Sequence, residues 1–263
     1  MQPVTALSSE RLSRVEGVFA DIDETISTRG KLTAEAYGAM WRLHEAGVKV
    51  VPVTGRAAGW CDHIGRFWPV DAVVGENGGF YFYHDGEKLI RRFLHNDAMR
   101  RDFRSRLEAV RKQVMHEIPG AGIASDQHYR EYDLAIDFCE DVAPLEKSQI
   151  HRIQDIFEEH GAHAKISSIH VNGWFGDFDK LSTARLCASE LFDIELDRQS
   201  EKFVFMGDSP NDEPMFGFFP LSFAMANIEP FLEMIEAKPA YVATKESGAG
   251  FVEVANRILD ARQ

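Results

Sequence analysis

The chain contains no stretch approaching the roughly 18 consecutive apolar residues needed to cross a bilayer, which argues against a membrane-spanning protein. Its opening segment, MQPVTALSSERLSRVEG, lacks the apolar run of a secretory signal, so the expected location is the cytoplasm. Cysteine is scarce: Cys61, Cys139 and Cys187 are scattered, odd in number and without metal-ligand spacing. That excludes a disulfide framework and leaves buried free thiols in a reducing compartment as the expectation. The ten histidines likewise show no ligand spacing, and none is assigned a metal. Basic residues are in deficit, 29 against 42 acidic, for a formal net charge of −13. A nucleic-acid binder needs a basic surface to displace counterions, so no nucleic-acid partner is expected. The same charge repels an anionic substrate at long range, and binding one requires a metal or well-placed Lys and Arg. No internal repeat or low-complexity tract appears. What is present is apolar mass: 44% hydrophobic residues, with 19 Phe, in 263 residues. That is enough for a real core and about the length of two modest domains.

The first part of the chain alternates strand and helix signals. Val18 to Ile22 is a short apolar run ending abruptly in acidic residues. Residues 33–47 predict a helix that Thr33 caps and Gly47 ends, with Tyr37, Met40, Trp41 and His44 at helical spacing. VKVVPV (48–53) and DAVVGENGG (71–79) predict a buried strand and a short strand before a glycine-rich break. This order indicates a parallel α/β sheet with crossover helices. The middle differs in texture. Residues 97–118 carry a helical pattern (Met99, Phe103, Leu107, Val110, Val114), and EYDLAIDF (131–138) alternates with period two. Residues 146–160 predict a helix and HAKISSIHV (163–171) one further strand, giving a small α+β unit with one covered sheet face. The basic run from Arg91 to Lys112 is read as a solvated helix face, ion-paired through Asp97–Arg101, Asp102–Arg106 and Glu108–Lys112. The α/β texture returns after about residue 175, where FVFM (203–206) runs into GDSPND. The reading is a discontinuous α/β core, 1–84 plus 173–263, with an α+β cap inserted at 85–172.

Four segments carry chemistry. In FADIDETIS, Asp21, Asp23 and Thr25 directly follow an apolar strand, where ligands bind in open parallel sheets. Read alone, it is either a surface acidic turn or a site for a hard, oxygen-loving cation such as Mg²⁺, which removes the mutual repulsion of the carboxylates. GDSPNDEPMF (207–216) adds Asp208, Asn211 and Asp212 at a second strand-to-helix turn. VTGR (53–56) offers the Thr54 hydroxyl and backbone N–H groups suited to a phosphate oxygen, while Arg56 is either a substrate contact or a surface charge. Lys180, in GDFDKLSTARL, starts a predicted helix and taken alone is a solvated side chain.

In this order the four segments resemble the motifs of haloacid dehalogenase (HAD) superfamily phosphohydrolases. The likeness is to the type IIB subgroup, whose α/β cap is inserted between the second and third motifs, as in many sugar phosphatases. Asp21-x-Asp23-x-Thr25 matches the first motif, Thr54 the second, Lys180 the third, and Gly207-Asp208 with Asn211-Asp212 the fourth. ENGG (76–79) resembles the subgroup's turn before the cap, and Glu24 departs from it where Gly is frequent. The resemblance implies a Rossmann-like HAD core with a parallel sheet and a Mg²⁺-dependent phosphomonoester hydrolase. Asp21 would be the nucleophile and Asp23 the general acid/base. Mg²⁺ would be held by Asp21, the Asp23 carbonyl and Asp208, with Asn211, Asp212 and Arg56 beside metal or substrate. Thr54 and Lys180 would bind phosphate oxygens. The implied partner is a small phosphorylated metabolite, a sugar phosphate for preference. A phosphomutase and an inactive regulatory protein are the rival readings. Arg130, His170 and Asn172 are cap residues within possible reach of substrate. Oligomeric state is not legible.

Overall fold

A computed structural model describes all of residues 1–263. The N-terminal part comprises β1 (Gln2–Pro3), α1 (Ser9–Ser13), β2 (Gly17–Ala20), α2 (Ala34–Glu45), β3 (Lys49–Pro52), α3 (Ala58–Phe67), β4 (Val73–Gly75), β5 (Phe80–His84) and β6 (Leu89–Phe93). The middle holds α4 (Asp97–Glu117), β7 (Gly122–Ile123), β8 (Leu134–Asp137), α5 (Lys147–Glu159), β9 (His163–Ile166) and β10 (His170–Trp174). The chain then completes α6 (Lys180–Phe192), α7 (Leu196–Gln199), β11 (Phe203–Gly207), α8 (Glu213–Phe218), β12 (Leu221–Ala224), β13 (Tyr241–Val242) and α9 (Ser247–Asp260).

The apolar runs at β2, β3 and β11 are buried on both faces, as central parallel strands between helix layers must be. They form a six-stranded sheet, ordered β1-β13-β12-β11-β2-β3, in which every pairing is parallel. β11 and β2 are neighbours in register, Met206 opposite Ala20, so their carboxyl ends emerge side by side. A bridge from Val53 to Val74 extends the sheet into the antiparallel strands β4, β5 and β6. The hairpin β5–β6 therefore runs on from the core sheet to residue 93. α2 starts where Thr33 accepts the Ala36 N–H, and buries Ala36, Ala39, Met40 and Leu43, while Trp41 faces solvent.

The inserted unit is a four-stranded antiparallel sheet, β7-β8-β10-β9. Leu134, Ile136, Ala164, Ile166 and Val171 share a hydrophobic cluster with Phe103 and Leu107 of α4 and Ile153, Ile156 and Phe157 of α5. The opposite face is buried too, and it is polar: Asp133, Asp137, His170 and Asn172 are each 2% exposed or less. The expectation of one covered face is thus corrected, because the second face packs toward the core. HAKISSIHV is a hairpin and not one strand. Ser167 turns it, its hydroxyl accepting from the Ile169 and His170 N–H groups while its own N–H donates to the His170 carbonyl. On α4 the ion pairs are mostly three residues apart, Asp97–Arg100 and Glu108–Arg111, and Arg104 reaches Glu131. The arginine forks bend to the nearer partner, so the face is ion-paired as expected but in a different register.

The chain's entry into this unit and its exit lie against each other. The His95 ring is 6.1 Å from that of Phe178, Tyr132 stacks edge-on to Phe178 at 5.3 Å, and Trp174 Nε1 donates to the Phe178 carbonyl. Gly78, at φ +111°, lets the ENGG turn touch the start of α6: a Cβ there would sit 2.1 Å from the Asp179 carbonyl. Thr183 donates to the Gly78 carbonyl at 2.6 Å. Glu76 ties the two units together. Its wholly buried carboxylate accepts N–H groups from Ala58 of the core and from Glu131, Tyr132 and Asp133 of the insertion. Glu76→Gln should cost about 1–3 kcal/mol for each backbone N–H left facing the new amide nitrogen. Urea denaturation of the variant checks this, and an unchanged midpoint would contradict it.

Candidate active site

Because β2 and β11 end side by side, the acidic residues that follow them converge. The Asp21 N–H donates to the Met206 carbonyl, which fixes the first residue of the loop. Lys180, the first residue of α6 and only 2% exposed, places Nζ 2.8 Å from Asp21 Oδ1 and 2.7 Å from Asp212 Oδ1. The other Asp212 oxygen accepts the N–H groups of Asp208 and Ser209. Gly207 permits that approach: a Cβ there would lie 2.4 Å from Asp212 Oδ2. Asp208 is fully buried, accepting from the Thr25 hydroxyl at 3.1 Å and from Asn227 Nδ2 at 3.0 Å. Carboxylate oxygens of Asp21, Asp208 and Asp212 all lie within 4.8 Å of one another.

Three carboxylates and one ammonium leave this cluster short of positive charge. Burial, with the charges of Asp212 and Asp23, pushes Asp21 up to about 7 even against Lys180. Burial, then Asp21 and Asp212, drives Asp208 well above the ordinary carboxylate range. Burial alone would discharge Lys180, but Asp21 and Asp212 outweigh it and raise the ammonium. An all-oxygen, doubly deficient, water-excluded cluster fits a hard divalent cation such as Mg²⁺. Lys180→Met in metal-free buffer should lower stability by about 3–5 kcal/mol, since it strips the one cation from buried carboxylates. Added Mg²⁺ should recover part of that loss. Thermal melts with and without Mg²⁺ check both, and an unaltered melting temperature in EDTA would contradict the first.

Thr54 is buried at the end of β3, its hydroxyl accepting the Arg56 N–H. Arg56 is not a free surface charge. Its Nε and Nη2 form a fork on Asp23, and Nη2 also donates to Glu140 at 2.8 Å. A cavity of only about 10 Å³, lined by Asp21, Asp23, Arg56, His170, Asn172 and Asn211, separates core from cap here. Asn211 also lines a larger crevice of about 550 Å³, with Lys180 and Asn77 on its core side and His163, Lys165 and Glu158 on its cap side. Of the three cap residues singled out from sequence, His170 and Asn172 reach the small cavity. Arg130 instead lies in a buried cluster with Asp126 and Asp133 and donates to the Gly55 carbonyl.

Sequence reasoning missed Glu140, Asn77 and Asn227. Asn77, at φ +53°, accepts from Asn211 Nδ2, and its own amide nitrogen has no partner. Asn227 lies in a stretch without a motif, and only the folded chain brings it to Asp208. Glu24 is explained by its surroundings. It adopts φ +55°, the left-handed region that favours Gly, and is held there by Ser247, which donates to its carboxylate, and by Asn227, which donates to its carbonyl.

No family model and no curated protein matches this chain. Solved structures do share its fold. A Thermoplasma acidophilum protein is 20% identical with a TM-score of 0.69, covering 93% of this chain and 98% of its own. A haloacid dehalogenase-like hydrolase from Bacteroides thetaiotaomicron is 13% identical, with a TM-score of 0.63 and coverage of 93% and 99%. The sucrose-phosphatase of Synechocystis, solved with sucrose and phosphate, is 13% identical, with a TM-score of 0.63 and coverage of 92% and 97%. The chain thus has the fold of the haloacid dehalogenase-like hydrolases, a mostly parallel α/β core with an inserted cap.

Proposed function

We propose that this protein is a Mg²⁺-dependent HAD-type phosphatase that hydrolyses a small phosphomonoester through an aspartyl-phosphate on Asp21. The observation that carries this reading is Lys180 bridging Asp21 and Asp212 beside buried Asp208, at the adjoining carboxyl ends of two parallel strands. Three of the four motif segments meet there, the other lines the adjoining cavity through Gly55 and Arg56, and an acyl-phosphate chemistry would use each part. The division is that of a core of 1–84 and 173–263 with a cap of 85–172, except that β6 stays with the core sheet to residue 93 and β10 with the cap sheet to Trp174.

In this reading an Asp21 carboxylate oxygen attacks phosphorus, the bond from phosphorus to the ester oxygen breaks, and Asp23 gives that oxygen its proton. Asp23 then takes a proton from water as the water attacks the acyl-phosphate, releasing phosphate and restoring Asp21. Lys180 and Thr54 face the non-bridging oxygens, where phosphoryl transfer depends on positioning and charge. Asp21, Asp208 and the Asp23 carbonyl would hold Mg²⁺, with Asn211 and Asp212 beside it. When bound, the ion neutralises charge between nucleophile and phosphate, which a protein of net charge −13 requires. The crevice of about 550 Å³, lined mainly by polar side chains, supports a hydrophilic leaving group such as a sugar. The free thiols of Cys61, Cys139 and Cys187 accord with a reducing, cytoplasmic setting.

Phosphate release from a panel of phosphorylated metabolites should require Mg²⁺, cease in EDTA and fall to background in Asp21→Asn. Asp23→Asn should slow an alkyl phosphate by about 10²–10⁴-fold, and p-nitrophenyl phosphate much less. Retained turnover in Asp21→Asn would exclude the covalent route. Turnover that appears only with a bisphosphate activator would identify a mutase.

A further inference from the structure

We infer that Glu140, a cap residue, is a positioning residue for the acid/base Asp23, acting through Arg56 only while the cap is seated; this rests on the phosphatase reading. The ion chain runs from core to cap without a gap. Asp23 takes Arg56 Nε at 3.0 Å to both carboxylate oxygens and Nη2 at 2.8 Å. The remaining reach of Nη2 is satisfied by Glu140 Oε1 at 2.8 Å. On the far side, Glu140 Oε2 lies 3.0 Å from His170 Nε2, a close contact off the hydrogen-bond axis.

Glu140 is built to hold that place. It follows β8 in a turn that buried Asp137 organises, one Asp137 oxygen accepting the N–H groups of Cys139 and Glu140 and the other that of Asp141. A residue in a loose surface loop would carry no such brace. Nearby His170, first, and then Arg56 hold the Glu140 carboxyl below the ordinary carboxylate range against its burial. Both Glu140 and His170 belong to the cap, whereas Arg56 and Asp23 belong to the core. Lifting the cap removes both of the former together and leaves the guanidinium with Asp23 alone.

Geometry explains why that matters. Arg56 has a planar fork, and an arginine held at one end still swings about its side chain. Asp23 occupies Nε and one edge of Nη2, and Glu140 occupies the other edge, so the two carboxylates together fix the guanidinium plane. Fixing that plane fixes the Asp23 carboxylate beside Asp21, on the wall of the small cavity that both line. Proton transfer is sensitive to such placement, and a displaced acid loses part of its rate advantage. The arrangement ties acid/base competence to cap seating.

The role predicts a leaving-group signature that a merely structural residue does not produce. Glu140→Ala should lower kcat for an alkyl phosphate at least about tenfold more than for p-nitrophenyl phosphate, whose leaving group needs little protonation. KM should shift less than kcat. The isosteric Glu140→Gln, which keeps an acceptor for Arg56, should recover part of the alkyl-ester rate and guards against a folding defect in the alanine variant. Equal losses on both substrates, or a change confined to KM, would overturn the positioning role while leaving the phosphatase reading intact. Absence of turnover by the wild type on both substrates would overturn that reading and this role with it.

Discussion

The structure depends on one electrostatic arrangement: several carboxylates brought out of water against a single ammonium. Burying a charge without a partner costs several kcal/mol, and Lys180 answers two of three here. The fold spends much of its local geometry on making this tolerable. β2 and β11 must be neighbours and in register, Gly207 must lack a side chain, and Thr25 and Asn227 must supply hydrogen bonds to Asp208. A parallel sheet suits the purpose, because its strands all deliver their carboxyl ends to one edge.

Caps and backbone contacts do the rest. Asp179 caps α6 and so sets where its first residue, Lys180, points. The ENGG turn packs onto that same helix start, which couples the position of the ammonium to the connection leading into the cap. Nothing in the site is held by one element alone. Glu24 shows how far this goes: a strained left-handed residue is kept in place by the start of α9 and by the segment that follows β12.

Much of this was legible in the sequence wherever the signal was local. The apolar runs ending in acidic residues marked β2 and β11, and the periodic stretch at 97–118 marked α4. Lys180 acquired meaning only from the other three motifs, since a lysine at a helix start says nothing by itself. The hairpin at 163–174 escaped because its turn is Ser167-Ser168, without the Gly or Pro that punctuates most turns. Glu140 escaped for a different reason. Its partner Arg56 is 84 residues away, and only the topology of core and cap brings the two together. The Arg91–Lys112 run is ion-paired, but none of the three expected pairs forms, and Arg91 and Arg92 lie on β6 and pair with Asp62 and Glu190.

The aromatic seam of His95, Tyr132, Trp174 and Phe178 has a mechanical consequence. Both covalent connections to the cap pass through it, so any opening that keeps these rings packed is a turn about a single short axis. The inserted unit then behaves as a lever with its fulcrum at the rings. A rotation there would move the Ser167–Ile169 turn, which with His170 and Asn172 forms the cap side of the cavity over Asp21. A stiff axle and a wide swing come from the same handful of side chains.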